Sequence, residues 1–338
     1  MEKRRRRLST VIGAVIVAVL GAAGVVVAGF VLWQMLFAPA EGPRPPAPGD
    51  AFFVSPDSFA ARAAAEGGED AGTEAAAYLA AQPTAVWLTP ETYPTDSVTA
   101  AVEQILAEAR AQDAVPVLAV YGLPDRDCGN FSAGGLDAAD YPGWIDAIAA
   151  GLAAEPARST VVILEPDALA LDCDRPEVRT AQIADAASRL AAEDTFLYVD
   201  GGHSNWRSPR EMATLIAEVA EAAPGALRGF ATNVSNANSD ADETAYARQL
   251  VGQLEAWGFD DLHAVIDTSR NGAPHTGSEW CNVPGLRVGV PSGTWGDDVI
   301  DANLWIKPPG ESDGTCNGGP PAGAWWPEAA VELTRDVR

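Results

Sequence analysis

The chain has 338 residues, enough for one large barrel-type domain with a short appendage. Its net charge is −25, and taking away the +4 of the first ten residues leaves −29 on the rest, which makes nucleic acid a poor partner. Four cysteines without a C-x-x-C pair, and three histidines without H-E-x-x-H, argue against a metal site.

In chain order, residues 1–10 form a basic segment holding Lys3 and Arg4 to Arg7. No further charge appears until Glu41, and Val11 to Trp33 is apolar apart from glycines. A hydrocarbon core of roughly 30 Å takes about 20 helical residues, so 11–37 reads as a transmembrane signal anchor. The preceding basic cluster predicts a cytoplasmic N-terminus and a single-pass protein with an extracellular C-terminal domain. Ala38-Pro39-Ala40 resembles a small-residue cleavage site, and cleavage there would release a secreted form instead. Residues 38–50 are a stiff Pro-rich linker, and 51–338 form the exported domain. The four cysteines, Cys128, Cys173, Cys281 and Cys316, all lie in that domain, where disulfides are permitted and three pairings are open.

Short β-rich runs then alternate with Ala-rich amphipathic helices. Strands are predicted at Thr84–Thr89, Val115–Tyr121, Thr160–Glu165, Phe196–Asp200, Leu227–Asn233, His263–Asp267 and Ala302–Lys307. Helices are predicted at Ser97–Gln112, Tyr141–Ala154, Pro176–Ala192, Pro209–Ala222 and Asp240–Trp257. Parallel strands need crossover connections, so the order implies an α/β fold, a distorted seven-stranded parallel β/α barrel.

The strand ends are the informative part, because a parallel barrel gathers them on one face. Tyr121 closes the second strand, and Asp125, Arg126 and Asp127 follow it. The third runs into Glu165-Pro166-Asp167, the fourth into Asp200 and His203, the fifth into Asn233, the sixth into Asp267 and Arg270, the seventh into Lys307. A ring of carboxylates without a phosphate cradle or a nucleophilic serine motif suggests acid–base hydrolysis, for which glycosidic bonds are the usual target. Trp87, Trp206, Trp280 and Trp305 offer indole faces to sugar C–H surfaces, although Trp305, inside an apolar strand, also fits core filling. Asp267 is expected to orient Arg270 in an ion pair, Glu165 to fix its turn, and Asp125 to be solvated.

The segments LAVYGLPDRDCGN, VVILEPDALAL, YVDGGHSNW, TNVSN, VIDTSRNG, EWCN and LWIKPPGESDGTC occur in the order and spacing of glycoside hydrolase family 6, which the chain resembles over roughly residues 51–338. The resemblance implies a β-1,4-glucan substrate, inversion at the anomeric carbon, and neither metal nor organic cofactor. By the same resemblance Asp167 is the general acid, Asp127 the aspartate that keeps it protonated and activates water, and Asp313 the carboxylate across the sugar. Asp200 supports the acid, Tyr121 crowds the sugar at the cleavage point, and Lys307 and Glu311 hydrogen-bond the glucosyl unit on the non-reducing side. Trp87 and Trp280 match stacking platforms on one side of the scissile bond, and Trp206 one on the other. His203 and Asn233 are carried as substrate-contacting positions. The implied disulfides are Cys128–Cys173 and Cys281–Cys316. One departure is Ala133, where many members place a serine; either Ser132 substitutes, or backbone groups hold the water.

With Asp127, Asp167, Asp200 and Asp313 all present, a catalyst is expected rather than a decayed glucan-binding wall protein. The loops around Trp280–Trp305 and Cys128–Cys173 are short, which favours an open cleft and endo action over an exo-acting cellobiohydrolase with a tunnel. A monomer is expected.

Overall fold

The computed structural model describes residues 43–68, 70–155, 159–275 and 277–337. The basic segment 1–10, the anchor 11–37 and the start of the linker lie outside the described residues. Among the described residues no helix is long and apolar enough to cross a membrane.

The described chain begins with β1 (Ala51–Phe52), α1 (Phe59–Glu66), α2 (Ala71–Ala80), β2 (Val86–Leu88) and α3 (Val98–Ala111). It continues through β3 (Ala114–Val115), β4 (Val117–Val120), α4 (Tyr141–Ala154), β5 (Thr160–Leu164), α5 (Pro176–Leu190) and β6 (Thr195–Asp200). The last third holds α6 (Pro209–Ala222), β7 (Leu227–Thr232), α7 (Asp240–Glu255), β8 (His263–Asp267), β9 (Ile300–Leu304) and α8 (Pro327–Leu333).

Seven strands, β2 and β4 to β9, form one all-parallel sheet in that order, and β1 pairs with β3 beside it. The sheet curls into a half-barrel. Its edges meet where Ala85 N donates to Trp305 O at 2.9 Å and Trp87 Nε1 to Ile306 O at 2.8 Å, rather than through a strand ladder. The sheet therefore stays a half-barrel rather than the full barrel expected, since β2 and β9 form no ladder and only these single hydrogen bonds join its edges.

Period-2 alternation sorts the strand residues into two layers. On β5, Val162 and Leu164 join the layer under the helices, while Val161 and Ile163 join Tyr198, Ala231 and Leu304 inside the curl. Both faces are covered, which is why β5 is apolar from Val161 to Leu164 without alternation. Helix starts follow their caps: Ser208 and Glu211 form a reciprocal capping box ahead of Pro209, and the Ser239 side chain accepts from Asp242 N. Helices α1, α2 and α8 gather around a third cluster that contains Trp305, only 1% exposed, with its Nε1 bound to Val290 O. Trp305 is thus core. The seventh strand starts and stops earlier than expected, so Lys307 stands three residues beyond β9.

Candidate active site

The loops leaving the C-terminal ends of the sheet contain a run of residues with left-handed backbone. Asp127 (φ 59°), Glu165 (φ 50°), Asp167 (φ 66°), Asn233 (φ 64°) and Ser235 (φ 60°) all sit there. Non-glycine residues at such angles cost on the order of 1–3 kcal/mol each and persist only where their surroundings hold them. Two disulfides supply part of that hold. Cys128–Cys173 joins the Asp127 loop to the Asp167 loop across 45 residues, with Cα atoms 5.8 Å apart. Cys281–Cys316 joins the loops on either side of β9 across 35 residues, at 6.2 Å. These are the pairs the resemblance implied, and loop closures of this size stabilise by about 3–4 kcal/mol in the chain-entropy model.

Glu165 supplies another part. Fully buried, it accepts from Gly122 N (3.1 Å), Leu123 N (3.1 Å) and Tyr141 OH (2.8 Å), and burial pushes its pKa to about 7. Its carboxylate therefore clamps the turn after β4 and not, as expected, its own turn. Two residues later Asp167 faces the cavity, half-buried. Burial, then the nearby Asp127 and Asp313 charges, raise its pKa from 3.8 to about 7, against a smaller opposing pull from Lys307. Behind it Asp200 is 1% exposed and accepts from Gly202 N at 2.7 Å and from the Asp167 backbone. Burial and then the Asp167 charge push Asp200 well above the ordinary carboxylate range.

Asp127 Oδ2 accepts from Ser132 N (2.9 Å) and Ser132 Oγ (2.8 Å), while Tyr121 OH lies 2.9 Å from the same Oγ. Ser132 thus bridges the aspartate and the tyrosine through its hydroxyl, and its backbone amide also holds the aspartate. Arg126, buried, holds this loop by donating to Tyr121 O and Ser132 O at 2.9 Å, its guanidinium 4.7 Å from the centre of the Tyr121 ring.

On the opposite loops, Asp313 Oδ2 accepts from Arg270 Nη1 (2.7 Å) and Asn282 N (2.9 Å), and Lys307 Nζ stands 3.6 Å from Oδ1. Burial alone would raise the Asp313 pKa, but Arg270, Lys307 and the Asn282 amide outweigh it and hold the group below the ordinary value. The expected Asp267–Arg270 pair is not formed. Asp267 instead accepts four backbone amides, from Ser235, Ser269, Ile306 and Lys307, and so fixes the chain on both sides of the arginine. The reason is reach: Asp267 is wholly buried at the strand end, whereas Arg270 extends to Asp313 and to the Ser235 carbonyl. Glu311 is raised to about 7 by burial, against Lys307 and Arg62, and Asp125 lies in solvent, as expected, 3.8 Å from Arg175.

Of these groups, Tyr121, Asp127, Ser132, Asp167, Lys307, Glu311 and Asp313 border a cavity of about 1090 Å³ that also takes in Trp87, His203, Trp206 and Trp280. Trp206 and Trp280 are 36% and 44% exposed, which leaves their indole faces available. His203 stacks against Trp206 at 5.5 Å and accepts from Asn205 N, and burial lowers its pKa to about 4. Asn233 and Asp200 lie behind the cavity wall. The Asn233 amide is spent on Asn238 and on the Asp267 carbonyl, which makes it a brace for the loop. Sequence reading passed over Asn282, which donates to the Asp313 loop carbonyls, and Phe131, whose ring touches Trp280 at 5.9 Å. The EWCN motif contained the first; an exposed loop phenylalanine was the only signal for the second. Among the described residues no cluster of His, Cys, Asp or Glu is arranged to hold a metal ion.

A curled parallel α/β sheet with a carboxylate-lined, Trp-flanked cleft at its C-terminal ends has the architecture of a glycan-hydrolysing enzyme. The chain belongs to the glycosyl hydrolases family 6, whose model matches residues 48–337. It is 38% identical over 298 residues to "Endoglucanase A" of Cellulomonas fimi, covering 87% of this chain and 63% of that protein. It is 40% identical to "Endoglucanase A" of Thermobispora bispora, covering 85% of this chain and 62% of that one, so it spans about three fifths of both relatives. Among solved structures it is similar to the endoglucanase Cel6 from Mycobacterium tuberculosis in complex with a thio-linked cellobioside. That match has a TM-score of 0.75 at 38% identity and covers 84% of this chain and 96% of that one. Cellobiohydrolase II from Humicola insolens, in complex with glucose and cellotetraose, matches with a TM-score of 0.76 at 26% identity, over 85% of this chain and 97% of that one.

Proposed function

We propose that the chain is an inverting endo-β-1,4-glucanase. The observation that carries this reading is the contrast between two acids on one cleft: Asp167, raised to about 7, and Asp313, held below its ordinary value. The first is available as a proton donor near neutral pH, where the second is ionised. In this reading Asp167 protonates the leaving oxygen, and a water near Asp127 and Ser132 attacks the anomeric carbon from the far side. Asp200 supports the acid through the Asp167 backbone, Tyr121 crowds the sugar, and Asp313 stabilises the developing positive charge. Lys307 and Glu311 bind hydroxyls on the non-reducing side, Trp87 and Trp280 stack sugars there, and Trp206 and His203 receive the reducing side.

The exposure of Trp206 and Trp280 supports an open cleft and internal cleavage. The competing exo-acting reading rests on Phe131, which joins two loop tips through Trp280. We further propose that 11–37 anchors the enzyme to the cell membrane and that the 51–338 domain faces outward; the uncharged stretch from Leu8 to Ala40 supports this. The full-length protein should then sediment with membranes, and a mature form beginning near Glu41 in culture medium would show cleavage instead. The activity is tested by product analysis of the full-length protein on soluble cellulose and mixed-linkage glucan. A fall in viscosity that outpaces reducing-end release supports endo action, and release of cellobiose alone would establish the exo reading.

A further inference from the structure

The cavity does not end at Glu311. Its lining also takes in Asp57, Phe59 and Arg62 from the start of α1, Gln104 and Glu108 from α3, and Tyr93 between them in sequence. Phe59 is the first residue of α1 and is 41% exposed, whereas the helix buries only Ala60. One exposed apolar ring is ordinary by itself; Phe59 is notable because it belongs to no core cluster and lines the wall of the same cavity as the acids. The Arg62 guanidinium lies 4.5 Å from the centre of that ring, which fixes the ring's orientation. Arg62 also acts electrostatically on both Tyr93 and Glu311, which line the same cavity. Gln104 and Glu108 are hydrogen-bonded at 2.8 Å and present amide and carboxylate groups from the other wall. An aromatic face flanked by fixed polar groups is the chemistry that binds a pyranose ring with its equatorial hydroxyls.

We propose that α1 builds a distal glucosyl-binding subsite, beyond Lys307 and Glu311, that holds the non-reducing continuation of the glucan chain through Phe59 and Arg62. This rests on the β-glucanase reading above. The test compares full-length wild type with Phe59→Ala and with Arg62→Gln on cellotetraose and cellohexaose. Phe59 is exposed and lies at a helix start, so its removal leaves the core intact; circular dichroism checks this, and Arg62→Gln provides a second variant that keeps the aliphatic stem. Both variants should lose about two- to tenfold in kcat/KM on cellohexaose, through KM, as loss of one aromatic stacking contact predicts. Cellotetraose, too short to fill the central cleft and reach α1, should be cleaved at the wild-type rate. Equal rates on cellohexaose for all three proteins, or an equal loss on both substrates, would overturn the subsite. Wild type inactive on every β-glucan would overturn the hydrolase reading, and the subsite with it.

Discussion

Replacing Asp167 by asparagine should move activity and stability in opposite directions. A pKa raised from 3.8 to about 7 means the folded protein prefers the neutral acid by up to about 4 kcal/mol over an unfolded chain. Between those two values the folded state holds a proton that the unfolded state has released, so stability falls as pH rises through this window. Above about pH 7 the full cost is present, part of it the anion's repulsion of Asp127 and Asp313. Asparagine never ionises and keeps nearly the same shape. Asp167→Asn should therefore match wild type in urea denaturation near pH 4 and become more stable than wild type as pH rises, the gap levelling off above about pH 8. Its hydrolysis of soluble cellulose should drop about a hundredfold or more, as removal of a general acid predicts. Wild-type activity should itself decline above about pH 7 as Asp167 loses its proton. A variant of near-normal activity, or a stability gap that shrinks with rising pH, would refute the assignment.

Arg270→Ala should be strongly destabilising, by about 3–5 kcal/mol in chemical denaturation, because it strands the buried Asp313 carboxylate with only Lys307 and the Asn282 amide. Asp313 is depressed in the wild type, so the pair's contribution is present above the ordinary carboxylate range and lost as pH falls through the lowered value; the variant's deficit should accordingly narrow in acid. Ser132→Ala removes the hydroxyl between Tyr121 and Asp127 but leaves the Ser132 backbone donor, so kcat should fall about tenfold with folding intact. Unchanged kcat would mean that the backbone alone positions the water.

Most of the fold was legible because each strand and helix carried its own period. Tyr141–Ala154, Pro209–Ala222 and His263–Asp267 came out at the observed bounds, framed by Pro starts or polar ends. The end helices α1, α2 and α8 were missed because their Ala-rich faces bury little by themselves and gain meaning only around Trp305. The same contact hid the role of Trp305, which no local pattern distinguishes from a platform. Within the site, the acids were legible as strand-end carboxylates. Their partners were not, since Arg270 to Asp313 and Asn282 to the Asp313 loop span 43 and 31 residues, and only the curl of the sheet brings them together. Phe59 and Phe131 were invisible for a related reason: an exposed aromatic is informative only once the cavity it lines is known.

The stereochemistry of the first product tests the mechanism most directly. Proton donation by Asp167 on one face and water attack from the other require single displacement, with no carboxylate bonded to the anomeric carbon. Proton NMR of the initial hydrolysate, read before mutarotation, should show the α-anomer accumulating first. Initial release of the β-anomer would mean retention and a covalent glycosyl-enzyme, and the roles given to Asp167, Asp127 and Asp313 could not stand.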